Sequence, residues 1–239
     1  SGVRIACKEY DVELIGGDTT SSLTGLTLSV TAIGTVEKKR VVYRSGARDH
    51  DLICITGDLG AAYLGIRLLE REKRVLKGNG VAKPQLEGYE YQLGRALRPE
   101  CRTDIVKRLS EAKILPTAMI DLSDGLASDL MQICKSSGCG ARIYLDRIPI
   151  ASTSFELADE LHLDYVTAAL NGGEDYQLLF TVGVDKYEEI VRMGGVDIIG
   201  HITDAAKGIA LTTPDGADIP LQAQGWTAIK PEETKNDSN

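Results

Sequence analysis

Residues 118–134 read AMIDLSDGLASDLMQIC, an apolar strand running through an acidic turn into a helix. Ala118, Met119 and Ile120 form a short buried-strand pattern. Leu126, Leu130, Ile133 and Cys134 then recur at helical spacing, and the pattern is expected to stop near Gly138. Between them lies Asp121-Leu122-Ser123-Asp124-Gly125. Two carboxylates three residues apart can point the same way around a turn, and a hard divalent cation would relieve their repulsion. Ser123 and the amides at the helix start could bind phosphate oxygens, and Gly125 allows close approach to the backbone. The same spacing equally suits a helix start capped by Asp or Ser.

Outward from this stretch, strands and helices recur along the whole chain. Strands are expected at 12–15, 26–36, 52–56, 118–120, 141–145, 176–182 and 196–201, with a terminal hairpin at 209–213 and 219–222. Val3, Ala6, Cys7 and Tyr10 share one helical face, so the chain starts on or just before a helix. Further helices are expected at 61–76, 102–112, 155–161, 165–170 and 186–193. Ile105, Val106 and Leu109 are read as the inner face of the second of these. Residues 41–51 read as a joint between two domains, and 77–92 as a mobile loop. The spacing is too irregular for a doubly wound sheet, and a mixed α+β fold is expected.

Composition narrows the classes. The 239 residues are 43% apolar and 26% charged, as in ordinary globular chains. A net charge of −8 disfavours nucleic acid and anionic lipid as partners. The five cysteines include no CxxC pair and no zinc-like set, and they read as reduced thiols of a cytoplasmic protein. No apolar run reaches the roughly 20 residues that span a bilayer.

Three other places carry candidate chemistry. Gly16-Gly17-Asp18-Thr19-Thr20 projects an Asp after two glycines, which suits a metal or a nucleotide phosphate but also a plain turn. Asn171-Gly172-Gly173-Glu174-Asp175-Tyr176 is a second Gly-Gly-acid step. Glu174 could face a cationic or hydrogen-bonding substrate group, while Asn-Gly is also a common helix end. Tyr43-Arg44-Ser45-Gly46-Ala47 offers Arg44 for a phosphate or for a surface ion pair. Trp226, the only Trp, could stack on a flat ring or cap the core. His50, His162 and His201 have no triad-like spacing, and no GxxxxGK[ST] loop is present.

In this order, Gly-Gly-Asp-Thr-Thr, Arg-Ser-Gly-Ala, Ile-Asp-Leu-Ser-Asp-Gly-Leu and Gly-Gly-Glu-Asp-Tyr resemble the thiamine-monophosphate kinases. Those enzymes belong to the superfamily of aminoimidazole ribonucleotide synthetase and selenophosphate synthetase. The resemblance runs from about Val3 to Trp226. It implies an aminoimidazole ribonucleotide synthetase-like C-terminal domain over 41–230, a remnant of an N-terminal ATP-binding and dimerisation domain over 1–40, and a disordered tail over 231–239.

The resemblance also implies Mg2+-dependent transfer of the ATP γ-phosphoryl group to thiamine monophosphate, in the cytoplasm, by a homodimer in the intact protein. Asp18, Asp121 and Asp124 would be metal ligands. Gly17, Asp18, Arg44 and Ser123 would contact ATP, and Glu174 and Trp226 would contact thiamine monophosphate. No covalent nucleophile is implied, since phosphoryl transfer rests on alignment and charge neutralisation. The family carries about a hundred further residues ahead of this start, an ordinary domain size, with more metal-binding aspartates. Weak or absent activity is therefore expected of this chain alone. A related ATP-dependent synthetase, or a fragment that binds ligand without turnover, are the alternatives.

Overall fold

Leu52–Thr56, the run LICIT, is buried at every position, as a strand covered on both faces must be. It is β1 of a computed structural model that describes residues 2–23, 25–79 and 83–223. The chain divides into two compact units, 1–41 and 42–239.

The first unit holds helix α1, Gly2–Glu9, as its spacing predicts. The strands expected at 12–15 and 26–36 are not formed. Val12, Leu14, Ile15, Leu26, Leu28, Val30 and Ile33 are all exposed, and no ladder forms among the described residues there. β-propensity alone does not make a strand; a neighbouring strand must take up its amides and carbonyls.

In the second unit, the helices are α2 (Ala61–Asn79), α3 (Glu90–Leu97), α4 (Thr103–Glu111), α5 (Leu126–Ser137), α6 (Ser152–Glu160), α7 (Tyr165–Asn171) and α8 (Tyr187–Met193). The other strands are β2 (Ala118–Asp121), β3 (Gly140–Tyr144), β4 (Leu178–Val182), β5 (Val196–Thr203), β6 (Ile209–Thr212) and β7 (Asp218–Pro220). They form one sheet in the order β2-β4-β1-β5-β3-β6-β7. Neighbours are antiparallel except β3 and β6, which run parallel. This is the mixed α+β fold expected.

Alternation along β1 separates two cores. Ile53 and Ile55 pack with Leu126, Leu130 and Ile133 of α5. Leu52 and Cys54 pack with Ile105 and Leu109 of α4 and Ile190 of α8. Full burial of each such side chain contributes about 1.5–3 kcal/mol. A smaller cluster joins Leu64 and Leu68 of α2 to Leu157 of α6 and Ala168 of α7. Val106, expected on the inner face of α4, is exposed, because that helix buries only a narrow stripe through Ile105 and Leu109.

The loop expected at 77–92 is also corrected. Helix α2 extends to Asn79 and α3 begins at Glu90. Between them Leu86 and Tyr89 pack onto the third cluster, and the Gln85 amide donates to the Glu72 carboxylate at 2.9 Å. These contacts with α2 and α6 outweigh the polar composition of the segment.

Candidate functional site

Strands β2 and β4 pair antiparallel, with Asp121 opposite Leu178. The turn leaving β2 and the turn entering β4 therefore emerge at the same end of the sheet. Strand β1 ends there too, with Ile55 opposite Leu179. Three loops thus meet: 57–60, 121–125 and 172–177.

The last two are bonded together backbone to backbone. The Glu174 amide donates to the Ser123 carbonyl at 2.9 Å, the Tyr176 amide to the Leu122 carbonyl at 2.8 Å, and the Leu122 amide to the Gln177 carbonyl at 2.8 Å. Gly173 sits at φ +69°, and a Cβ there would lie 2.5 Å from the Ser123 carbonyl oxygen. Gly125, at φ +107°, would bring a Cβ within 2.9 Å of the Leu170 carbonyl oxygen. Both loops therefore need glycine where they cross. Glu174 and Tyr176 are themselves left-handed, at φ +62° and +50°. Such backbone costs on the order of 1–3 kcal/mol per residue and persists only where surrounding bonds enforce it.

No side chain of the acidic turn caps α5. The cap position is Gly125, and no side-chain cap bond is made there. Instead Asp129, one turn into the helix and only 2% exposed, accepts the Ser123 amide at 3.0 Å and the Asp124 amide at 3.1 Å through the same Oδ2. Those two amides are therefore taken up within the protein, which leaves the Ser123 hydroxyl and the amides at the start of α5 as the donors the sequence expectation can still draw on. Burial is the main cause that pushes the Asp129 carboxyl up to about 6, and Asp124 and Asp121 add repulsion. The side chains of Asp121 and Asp124 stay exposed and make no ion pair among the described residues.

Glu174 is exposed beside this turn and accepts the Tyr176 hydroxyl at 3.0 Å. That bond is the main reason the Tyr176 hydroxyl is pushed up. Asp175 points inward and is 3% exposed. It accepts the Gly60 amide at 2.9 Å, at the start of α2, and pairs with Arg95 of α3 at 3.6 Å. Burial pushes the Asp175 carboxyl up to about 6 despite these partners. Arg95 also donates to the Asp58 carbonyl at 3.1 Å, and the Tyr91 hydroxyl donates to the Asp58 carboxylate. Behind Gln177 lies a cleft of about 510 Å3 lined by Tyr91, Arg95, Arg98 and Arg102, with Glu90, Glu100 and Asp104 balancing their charge.

Arg44 is exposed in a turn along the free edge of β2, where the Tyr43 carbonyl accepts the Met119 amide at 2.9 Å. It is thus beside the strand that ends in Asp121. Gly17 and Asp18 lie in the first unit. Asp18 is exposed, and its carboxylate accepts the Thr19 amide at 2.8 Å. Trp226 and the tail expected at 231–239 lie outside the described residues. Among the described residues, no three or more His, Cys, Asp or Glu side chains converge to hold a metal ion. Asp121 and Asp124 are exposed carboxylates of one turn, and among the described residues no group of three such side chains includes them.

The sequence reading missed Asp129, Asp175, Tyr176 and Arg95. Asp129 had a signal: it is a carboxylate on the apolar face marked by Leu126, Leu130 and Ile133. Arg95 had none, since its partners lie 37 and 80 residues away.

Residues 50–210 match the family model of the AIR synthase related protein, C-terminal domain. The thiamine-monophosphate kinase of Buchnera aphidicola (Schizaphis graminum strain) is 37% identical over 212 residues, covering 85% of this chain and 60% of the relative. That of Bacillus subtilis is 31% identical over 236 residues, covering 96% of this chain and 68% of the relative. The solved structure of AaThiL complexed with AMPPCP and TMP is similar, with a TM-score of 0.73 and 28% identity. The match covers 94% of this chain and 65% of that one. The chain thus spans about 60–68% of the length of these relatives.

Proposed function

This chain belongs to the AIR synthase related proteins and, within them, to the thiamine-monophosphate kinases, and on that premise we propose that it is part of such a kinase and carries metal, nucleotide and acceptor contacts. The proposed reaction transfers the γ-phosphoryl group of ATP to the phosphate of thiamine monophosphate, giving thiamine diphosphate and ADP. The single observation that carries it is the crossing of the two acidic loops. It sets Glu174 against Ser123, so that Asp121, Asp124 and Glu174 share one mouth at the end of the sheet.

Mg2+ is part of the proposal, and the residues present suit it. Asp121 and Asp124 offer hard oxygen donors that are exposed and not taken up by caps or ion pairs among the described residues. Their negative field already reaches Asp129. Asp121 and Asp124 would hold the ion. When bound, Mg2+ supplies charge neutralisation for the phosphates.

The chain's own residues do the remaining work. The Ser123 hydroxyl donates to a phosphate oxygen, and Arg44 presents a guanidinium to the nucleotide phosphates. Glu174 orients the acceptor through a charge-assisted hydrogen bond, and Trp226, outside the described residues, is the proposed partner of the thiamine ring. None of these groups forms a covalent intermediate. Alignment of donor and acceptor carries the rate.

Among the described residues, no helix is long and apolar enough to cross a membrane. A cytoplasmic homodimer of the full-length gene product is part of the same proposal.

The test is direct. The full-length gene product is incubated with ATP, Mg2+ and thiamine monophosphate, and products are separated by chromatography. Equal amounts of ADP and thiamine diphosphate are expected, with little or no turnover by these 239 residues alone. ADP formation indifferent to thiamine monophosphate would overturn the substrate assignment. Mg-ATP binding with no ADP at all would favour ligand binding without catalysis.

A further inference from the structure

The acidic turn is short, exposed and crowded with negative charge, so something must hold it in one shape. Asp121 and Asp124 are both exposed carboxylates, and among the described residues the turn is bonded to the 172–177 loop and to Asp129 in the first turn of α5. The loop fixes the carbonyl side: Leu122 and Ser123 give their carbonyls to Tyr176 and Glu174. The Leu122 amide donates to the Gln177 carbonyl, and the next two amides are fixed by one atom, Oδ2 of Asp129, which accepts both Ser123 and Asp124 at 3.0 and 3.1 Å. Asp129 is itself immobilised, being 2% exposed on α5 between Leu126, Leu130 and Ile133, all of which are fully buried.

We propose that Asp129 is a positioning residue for the proposed metal site: its Oδ2 aims the Asp121 and Asp124 side chains by gripping the two amides between them. This rests on the functional reading above. The role is that of an acceptor at a fixed point, which makes a sharp distinction among substitutions. Asp129→Asn keeps an oxygen at the same reach and removes the charge. Asp129→Glu keeps the charge and moves the oxygen by one methylene.

The probe is Mn2+ alone, titrated into the full-length gene product and followed by its electron paramagnetic resonance signal, with thermal melting as the check of folding. Loss of an outer-shell contact typically weakens metal affinity about 10–100-fold. Asp129→Glu is expected to raise the half-saturating Mn2+ concentration at least about tenfold, and Asp129→Asn to stay within about threefold. If Asp129→Glu does not fold, Asp129→Ser replaces it, since its hydroxyl is too short to reach both amides, and the same loss is expected.

Retention by Glu with loss in Asn would overturn the proposal in favour of a charge effect. Equal affinities in all three proteins, or equal losses in both variants, would overturn it as well. Wild-type protein that binds no Mn2+ would remove both the metal site and this role. Mn2+ binding without thiamine diphosphate formation would remove only the kinase reading, and the comparison of variants would still decide the proposal.

Discussion

Replacing Gly173 with Ala should cost far more than an ordinary glycine substitution. Gly173 is at φ +69°, where an L side chain is strained, and the new Cβ would sit 2.5 Å from the Ser123 carbonyl oxygen. The neighbour is backbone, so no side-chain rotation relieves the clash. The loops must part, and the Glu174 amide to Ser123 carbonyl bond is the first to break. Left-handed strain of about 1–2 kcal/mol and a lost hydrogen bond of about 0.5–1.5 kcal/mol together give about 1.5–3.5 kcal/mol.

Gly138 supplies the control. It ends α5 at φ +66° with nothing within 4 Å of an added Cβ, so Gly138→Ala should show the strain alone, about 1–2 kcal/mol. Urea denaturation of both variants measures the difference. Gly173→Ala should be the less stable by at least about 1 kcal/mol, reflecting the lost bond and the clash. Equal losses would refute the reasoning, because they would mean that the crossing of the two acidic loops can loosen without cost.

Glu174→Gln in the full-length gene product should raise KM for thiamine monophosphate by about tenfold or more, while KM for ATP stays within about twofold, as expected for one lost charge-assisted bond to the acceptor. Equal rises measured by steady-state kinetics would make Glu174 structural. Asp175 provides a pH test. Its folded carboxyl lies near 6 against 3.8 unfolded, so its neutral form is favoured in the native state, and the stability it contributes is present below about 4 and lost as pH rises through about 6. At about 1.4 kcal/mol per pH unit that gap amounts to about 3 kcal/mol. Asp175→Asn should therefore gain up to about that much on the wild type between pH 4 and pH 7; a relative stability that stays flat or falls in urea melts at several pH values contradicts this. Phe180→Ala, at a fully buried position of β4, should cost about 3–5 kcal/mol by the same assay. A cost under about 1 kcal/mol would mean that this face of the sheet is not packed as described.

Where a segment's own pattern decides its structure, the sequence was enough. The apolar run of β1 and the helical face of α5 stopped by Gly138 are local facts, and the structure has them. Helix α3 escaped because its reason is distant: α2 approaches so closely that a Cβ on Gly65 would lie 2.3 Å from the Gln92 carbonyl oxygen. The polar sequence of α3 does not advertise that contact. The residues 26–36 misled for the opposite reason, since their β-branched pattern was local and the pairing it calls for was not met among the described residues.

The site divides the same way. Asp121, Ser123, Asp124 and Glu174 could be singled out as candidates because carboxylates next to glycines stand out between a strand and a helix. That they form one mouth was not, because it depends on the register of β2 against β4. Asp129 and Asp175 lay hidden for a related reason: a buried carboxylate is explained by the amides it receives, and two of those donors, at Ser123 and Gly60, come from neighbouring turns that only the fold brings near.

The central claim is that Asp121 and Asp124 hold a divalent cation where the two acidic loops cross. Mn2+ titration of the full-length gene product, wild type against Asp121→Asn and Asp124→Asn, tests it most directly. Each single variant should raise the half-saturating concentration by about tenfold or more, and the double variant should bind still more weakly, as expected when hard oxygen ligands are lost. Folded variants that bind Mn2+ as the wild type does would contradict the account.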